Sequence, residues 1–170
     1  LAWPLLLSNI TAPLLGLVDT AVVGHLDSPV YLAAVALGSN VFMFLYFSFN
    51  FLRMGTTGFT SQARGAGEAT LVVLLRALLL STLVGSALIL LRPLLSDAAL
   101  WLLGGSDEVQ GLAREYIGIR ILGAPAALGN FALIGFAIGL HRTSVPLKMT
   151  VLMHSSNVLL DVLLVQVWHF

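Results

Sequence analysis

The sequence predicts an all-α membrane protein with about five transmembrane helices, and three observations carry that prediction. Hydrophobic residues make up 58% of the 170 residues and charged residues 9%, with a mean hydropathy of +0.98. Soluble domains carry about 25% charged residues, so a water-soluble globule is excluded. Five stretches reach the roughly 20 mostly apolar residues that a membrane-spanning helix needs. Trp3, Trp101 and Trp168 fall near the predicted membrane edges, as an aromatic belt requires. Formal net charge is zero and no basic face suggests nucleic acid. With no cysteine, neither a disulfide framework nor a thiolate metal site can form.

The first stretch covers residues 1–23 and ends at the turn-rich HLDSP around Asp27 and Pro29. It has no basic leading region and no small-residue cleavage site, and it carries an acid, so it does not read as a signal peptide. The second covers 31–57, with Arg53 as its only charge. TSQARGAGEAT follows and reads as a small polar loop with Gly65 and Gly67 as breakers. The third covers 71–91, interrupted only by Arg76; the fourth covers 116–140 and the fifth 147–168. Between the third and fourth, Leu94, Leu95, Ala98, Ala99 and Leu102 recur at helical spacing before a GGSDE break. A short amphipathic helix lying at the interface fits that pattern. The chain opens on LAWPLLL without an initiator Met and stops on LLVQVWHF, which predicts a fragment of a longer membrane protein.

Orientation follows from Lys and Arg in alternate loops. Arg53, Arg64, Arg76, Arg142 and Lys148 lie nearest the second and fourth loops, against Arg92, Arg114 and Arg120 on the other side. That bias places the second and fourth loops in the cytoplasm. The first, third and fifth stretches then run outward.

Two carboxylates, Asp19 in LLGLVDTAVVG and Asp161 in NVLLDVLLVQV, sit inside apolar stretches, while the other six acids fall in loops or at segment ends. A charge at the centre of a bilayer helix costs roughly 2.5–3.5 kcal/mol on insertion scales. Such residues are expensive unless protonated, ion-bound or facing a wet cavity. At about 1.5 Å rise per residue, Asp19 lies ~9 Å and Asp161 ~11 Å from the outer ends of their stretches, a shared depth. Asn157 precedes Asp161 by four residues and stacks on the same helical face, with His154 three residues earlier extending the polar stripe. An amide beside a carboxylate suits either a desolvated sodium ion or a carboxylate that cycles its proton. The competing reading is a pair of interhelical hydrogen bonds. Pro4 and Pro13 each remove a backbone donor and predict a bent first helix, a candidate two-state element beside Asp19.

Other features carry less chemistry. Arg53, Arg76 and Arg120 read as snorkelling or loop-neutralising cations. Gly135 with Gly139, and Ser81 with Gly85, read as close-packing pairs. Pro125 and Asn130 mark a candidate local break, and Asn130 and His154 are candidate cavity-lining residues. His25, His141 and His169 are scattered, without zinc-ligand spacing. Phosphate loops, nucleophile elbows and HExxH motifs do not occur.

PLLGLVDTAVVGHLDSPVYLAAVALG, FLRMGTTGFTSQARGAG, IRILGAPAALGNFALIGFAIG and NVLLDVLLV occur in that order along nearly the whole chain. In them the sequence resembles the multidrug and toxic compound extrusion (MATE) transporters, and their DinF-like bacterial branch most closely. The resemblance implies two six-helix lobes related by pseudo-symmetry, of which this chain supplies five helices of the N-terminal lobe. Helix six and the C-terminal lobe are then missing partners from the same chain. It further implies efflux of drugs or toxic organic compounds, often cationic, by antiport with protons or sodium, in the bacterial inner membrane. Asp19, Asn157 and Asp161 match the family's coupling residues and would hold the proton, or sodium as the one metal ion. Pro4 matches the proline associated with helix bending, and His154 has no counterpart in the pattern.

The reading is thus a cation-coupled antiporter embedded in lipid, needing no cofactor beyond its coupling ion and no nucleic acid. Two alternatives remain at this point. One is an intramembrane enzyme using the two acids, against which stands the lack of a nucleophile–base pair or metal triad. The other is a structural or channel-forming subunit.

Overall fold

The structure, a computed structural model, describes residues 29–142 and 144–161, and for residues 153, 154 and 157–161 the backbone alone. The stretch at 1–23, with Pro4, Pro13 and Asp19, lies outside the described residues, as does the fifth stretch beyond Asp161. The described chain is helical throughout: α1 (Pro29–Ser48), α2 (Phe51–Gly65), α3 (Thr70–Leu90), α4 (Arg92–Leu103), α5 (Asp107–Arg120), α6 (Ala124–Gly139) and α7 (Ser144–Asp161). It falls into two compact units. One spans Ala33–Leu140 and the other contains α7.

Among the described residues, three helical runs are long and apolar enough to cross a membrane: Pro29–Gly65, Thr70–Leu90 and Asp107–Gly139. The second agrees within a residue with the apolar stretch at 71–91, because nothing but Arg76 interrupts its hydropathy. The first is longer than its sequence pattern suggested. TSQARGAGEAT, expected as a loop, is helical as far as Gly65, and the reversal comes at Gly67, where φ is +72°. Just ahead of this segment, hydroxyls of α2 bond back along the helix. Thr56 Oγ1 donates to Leu52 O at 2.6 Å and Thr57 Oγ1 to Arg53 O at 2.8 Å.

Between α1 and α2 the helix tightens without reversing. Phe49, Asn50, Leu52 and Arg53 each donate a backbone bond three residues back, and Ser48 Oγ donates to Phe44 O at 2.9 Å. Such i−3 bonds narrow the local turn and change its direction. A similar joint links α5 to α6. Ile121–Gly123 form a single 3₁₀ turn just before Pro125, which has no N–H to donate. The break expected near Pro125 is therefore present, as one tight turn in a continuous helical run. That run begins at Asp107 rather than near residue 116, because Gly104 and Gly105 break the preceding helix and Ser106 caps the new one. Its side chain accepts from Val109 N.

In the larger unit, α6 lies between α2 and α3, and small residues set both approaches. A Cβ on Gly139 would stand 2.6 Å from Thr60 Cβ and 2.8 Å from Thr57 O, and one on Gly135 would stand 3.1 Å from Thr56 Cβ. The Gly135–Gly139 notch therefore admits the hydroxyl-bearing face of α2. Thr57 Oγ1 also donates to Gly135 O at 3.1 Å, Ser61 Oγ donates to Gly139 O at 3.3 Å, and an Arg64 N–H reaches Leu140 O. On the other side Gly85 of α3 meets the Pro125 backbone, where a Cβ would stand 2.5 Å from its nitrogen. Ser81 Oγ shares its proton between Ala77 O and Leu128 O, at 2.8 and 3.2 Å. Both small-residue pairs singled out in the sequence thus mark close helix packing. Interhelical hydrogen bonds in membranes average only ~0.6 kcal/mol, so the close fit matters as much as the bonds.

The apolar core joins α1, α2 and α3 with α4, α5 and α6 through Ala34, Phe42, Leu52, Leu88, Leu100, Ile117 and Leu128. α4 turns Ser96 and Leu100 inward and leaves Leu94, Trp101 and Leu102 exposed, Trp101 by 84%. An outward apolar stripe of this kind suits a helix resting at a membrane interface. Its surface ion pair, Asp97 with Arg114 at 2.8 Å, is exposed and contributes little to stability.

Candidate functional site

The sequence placed the functional residues in two groups, which the structure reaches unequally. Asp19, Pro4 and Pro13 lie outside the described residues. The α7 backbone is helical through His154, Asn157 and Asp161, so Asn157 and Asp161 stand one turn apart along it. Asn130, in the other unit, is partly buried on α6. Among the described residues, no group of three or more His, Asp or Glu gathers to hold a metal ion.

A cluster that the sequence reading did not assemble lies between α1 and α5. Gly38 opens a notch in α1 that the Tyr116 ring fills; a Cβ there would stand 3.0 Å from Tyr116 Cε1. The ring packs edge-on against Phe42, centroids 6.4 Å apart, and its hydroxyl lies 3.1 Å from Ser39 Oγ. One turn along α5, Arg120 donates through the same terminal nitrogen to Tyr116 Oη and to Ser39 Oγ, the latter at 3.3 Å. Its guanidinium carbon stands 5.0 Å from the Phe42 centroid and 5.4 Å from that of Tyr116. These are cation–π distances. Tyr46 continues the aromatic wall, 5.6 Å from Phe42 and 6.4 Å edge-on from Phe131 of α6.

Arg120, read from the sequence as a snorkelling or loop-neutralising cation, is exposed and also joins α5 to α1 through Ser39 and Phe42. Ser39 lies ten residues beyond Pro29 and Arg120 thirteen beyond Asp107. At about 1.5 Å per residue these are ~15 and ~20 Å along their helices, and Arg120 lies four residues into the apolar stretch at 116–140. Tyr116 and Arg120 are an i, i+4 pair, a spacing the sequence displayed. Ser39 and Phe42 come from another helix and gave no local signal.

A second concavity, about 570 Å³, lies between α2 and α3. Phe51, Phe59 and Leu80 line its apolar part, and Gln62, Glu68 and Arg76 add polar groups.

The chain has clear counterparts among known proteins. Residues 4–163 match the MatE family. The chain belongs to that family. It is 47% identical over 171 residues to "DNA damage-inducible protein F" of Escherichia coli K12, a match covering 99% of this chain and 37% of that one. This places it in the DinF-like branch of the MATE transporters. It is also 32% identical over 155 residues to "Multidrug resistance protein PmpM" of Pseudomonas aeruginosa, covering 84% of this chain and 30% of the relative. Among solved structures it resembles a MOP superfamily transporter from Pyrococcus furiosus, with a TM-score of 0.88 and 26% identity over the whole of this chain and 38% of that one. The chain spans between 30% and 37% of the length of the curated relatives it matches. This MATE chain is a multi-pass protein of the bacterial inner membrane, and its family is one of transporters, not enzymes.

Proposed function

We propose that this chain is most of the N-terminal lobe of a cation-coupled antiporter that exports organic compounds by alternating access. The supporting observation is the family match, which runs from residue 4 to residue 163 and so takes in Asp19, Asn157 and Asp161. In this reading the two carboxylates and the amide form the coupling site, taking up a proton or a sodium ion from outside. Desolvation raises a carboxylate's affinity for a proton and a neighbouring donor lowers it. Asp19 and Asp161, each set in an apolar stretch, are placed to load and unload as an imposed gradient changes.

Loading the site stabilises one access state over the other, and a second lobe supplied by the longer protein rocks against this one. In this reading Pro4 and Pro13 are the candidate helix-bending residues, and Asn130 and His154 are each candidate cavity-lining residues. The coupling ion acts as co-substrate, and no cofactor enters the cycle.

In the intact protein, Asp161→Asn should abolish efflux of a fluorescent drug such as ethidium from proteoliposomes under both an imposed proton and an imposed sodium gradient. Efflux equal to wild type under a gradient that drives wild-type efflux would reduce Asp161 to a packing residue.

A further inference from the structure

The concavity between α2 and α3 grades from polar to apolar along its length. Its α2 wall runs from Ala66 back to Phe51, about 22 Å of helix at ~1.5 Å per residue. Its α3 wall is the single face formed by Val73, Arg76, Ala77 and Leu80. Glu68 stands at the mouth, in the turn before Thr70, and Arg76 follows ~9 Å along α3 from that helix start. Phe51 and Leu80 lie furthest from the turn, and with Phe59 they are exposed apolar side chains on helical runs long enough to cross a membrane. The groove is open at Gly55, where a Cβ would meet nothing within 4 Å. Glu68 and Arg76 line this one space, yet among the described residues neither side chain has an ion pair or a hydrogen bond.

Carboxylate, guanidinium, then apolar wall is the complement of a zwitterionic phospholipid followed inward: ammonium, phosphate, then hydrocarbon. The guanidinium engages phosphate oxygens in two parallel bonds, and its apolar stem packs along the groove wall. Glu68 accepts hydrogen bonds, which a primary ammonium donates and a quaternary one, having no N–H, does not. An anionic headgroup would meet Glu68 with like charge. We propose that the α2–α3 groove binds a phospholipid with an ethanolamine headgroup, its phosphate on Arg76, its ammonium on Glu68 and one acyl chain laid past Phe59 toward Phe51 and Leu80. This site goes beyond the transport reading and needs only that the chain sits in a bilayer.

The test is photolabelling of the intact protein in phosphatidylcholine bilayers. These carry a trace of lipid with a diazirine in one acyl chain and an ethanolamine, choline or glycerol headgroup. Label at Phe51, Phe59 and Leu80 is read relative to label at Phe44 and Phe47, exposed on α1. The ethanolamine lipid should label the groove about two- to fivefold more than either of the others, the range of an exposed ion pair. Glu68→Gln should remove most of that preference. Arg76→Gln should lower groove labelling by the ethanolamine lipid by a similar factor, and Arg76→Lys should retain most of it. Gly55→Leu, which enters open space rather than a packed contact, should exclude all three lipids. Equal groove labelling by the three headgroups in wild type would overturn the proposal. So would an undiminished ethanolamine preference in a Glu68→Gln protein matched to wild type by size exclusion and thermal melt. Displacement of the label by added ethidium would assign the groove to an exported compound and also overturn it. Because no gradient is imposed, a failure of ion-coupled efflux leaves this result separately readable.

Discussion

Single atoms decide how closely these helices approach. At Gly85 any side chain meets the Pro125 backbone, which cannot step aside as a flexible side chain would. Gly85→Ala should therefore destabilise the protein by about 1–3 kcal/mol, the usual cost of overpacking. Gly58 is the internal control, since a Cβ there meets nothing within 4 Å. Gly58→Ala should be neutral or slightly stabilising, because alanine is the better helix former by up to about 1 kcal/mol. Thermal unfolding of the two variants in detergent checks both, and equal melting temperatures would contradict the packing described at α3 and α6. The Gly135–Gly139 and Ser81–Gly85 pairs could be read from the sequence because small residues four apart have few other uses in an apolar helix. Arg120 shows the opposite case. Its neighbour Tyr116 is on the same helix, but Ser39 lies 81 residues away, and no local pattern joins them.

At the scale of the element, helix ends were harder to read than helix centres. The apolar stretch at 71–91 became Thr70–Leu90 because its hydropathy is uninterrupted. TSQARGAGEAT misled because polarity and glycine usually signal a loop. Here Ser61 donates across to Gly139 O, and the glycine notch of α6 receives this face of α2. The start of α5 at Asp107 was equally hidden, since its first turns are charged and carry no apolar signal. Ser106 fixes that start, with Asp107 and Glu108 in the first turn complementing the helix dipole. Ser106→Ala should cost about 1 kcal/mol, the typical worth of an N-cap. The expected readout is faster amide hydrogen exchange at Val109 and Gln110, with exchange in α3 unchanged. Equal acceleration in α3 would show that the cap is not acting locally.

For the molecule as a whole, composition alone excluded a soluble globule, and the order of family motifs agreed with the match over residues 4–163. The all-α, multi-spanning fold was thus legible from hydropathy. The proposed coupling site was legible differently, as acids whose cost in a bilayer demands a purpose. Asp19 lies outside the described residues, and for Asp161 the backbone alone is described, so their role is carried by sequence position and family pattern. What the sequence could not display is the arginine–aromatic cluster, which exists only once α1 and α5 pack together. It sets an arginine against aromatic rings in a lobe otherwise read through its acids.

The central claim is that intramembrane acids couple substrate export to a cation gradient. Its most direct test is drug-dependent ion flux in proteoliposomes holding the intact protein, with proton and sodium gradients imposed separately, for wild type and Asp19→Asn. Wild type should exchange drug for at least one of the two ions, and Asp19→Asn should lose that exchange while still binding the drug. Undiminished, gradient-dependent efflux by Asp19→Asn would contradict the account.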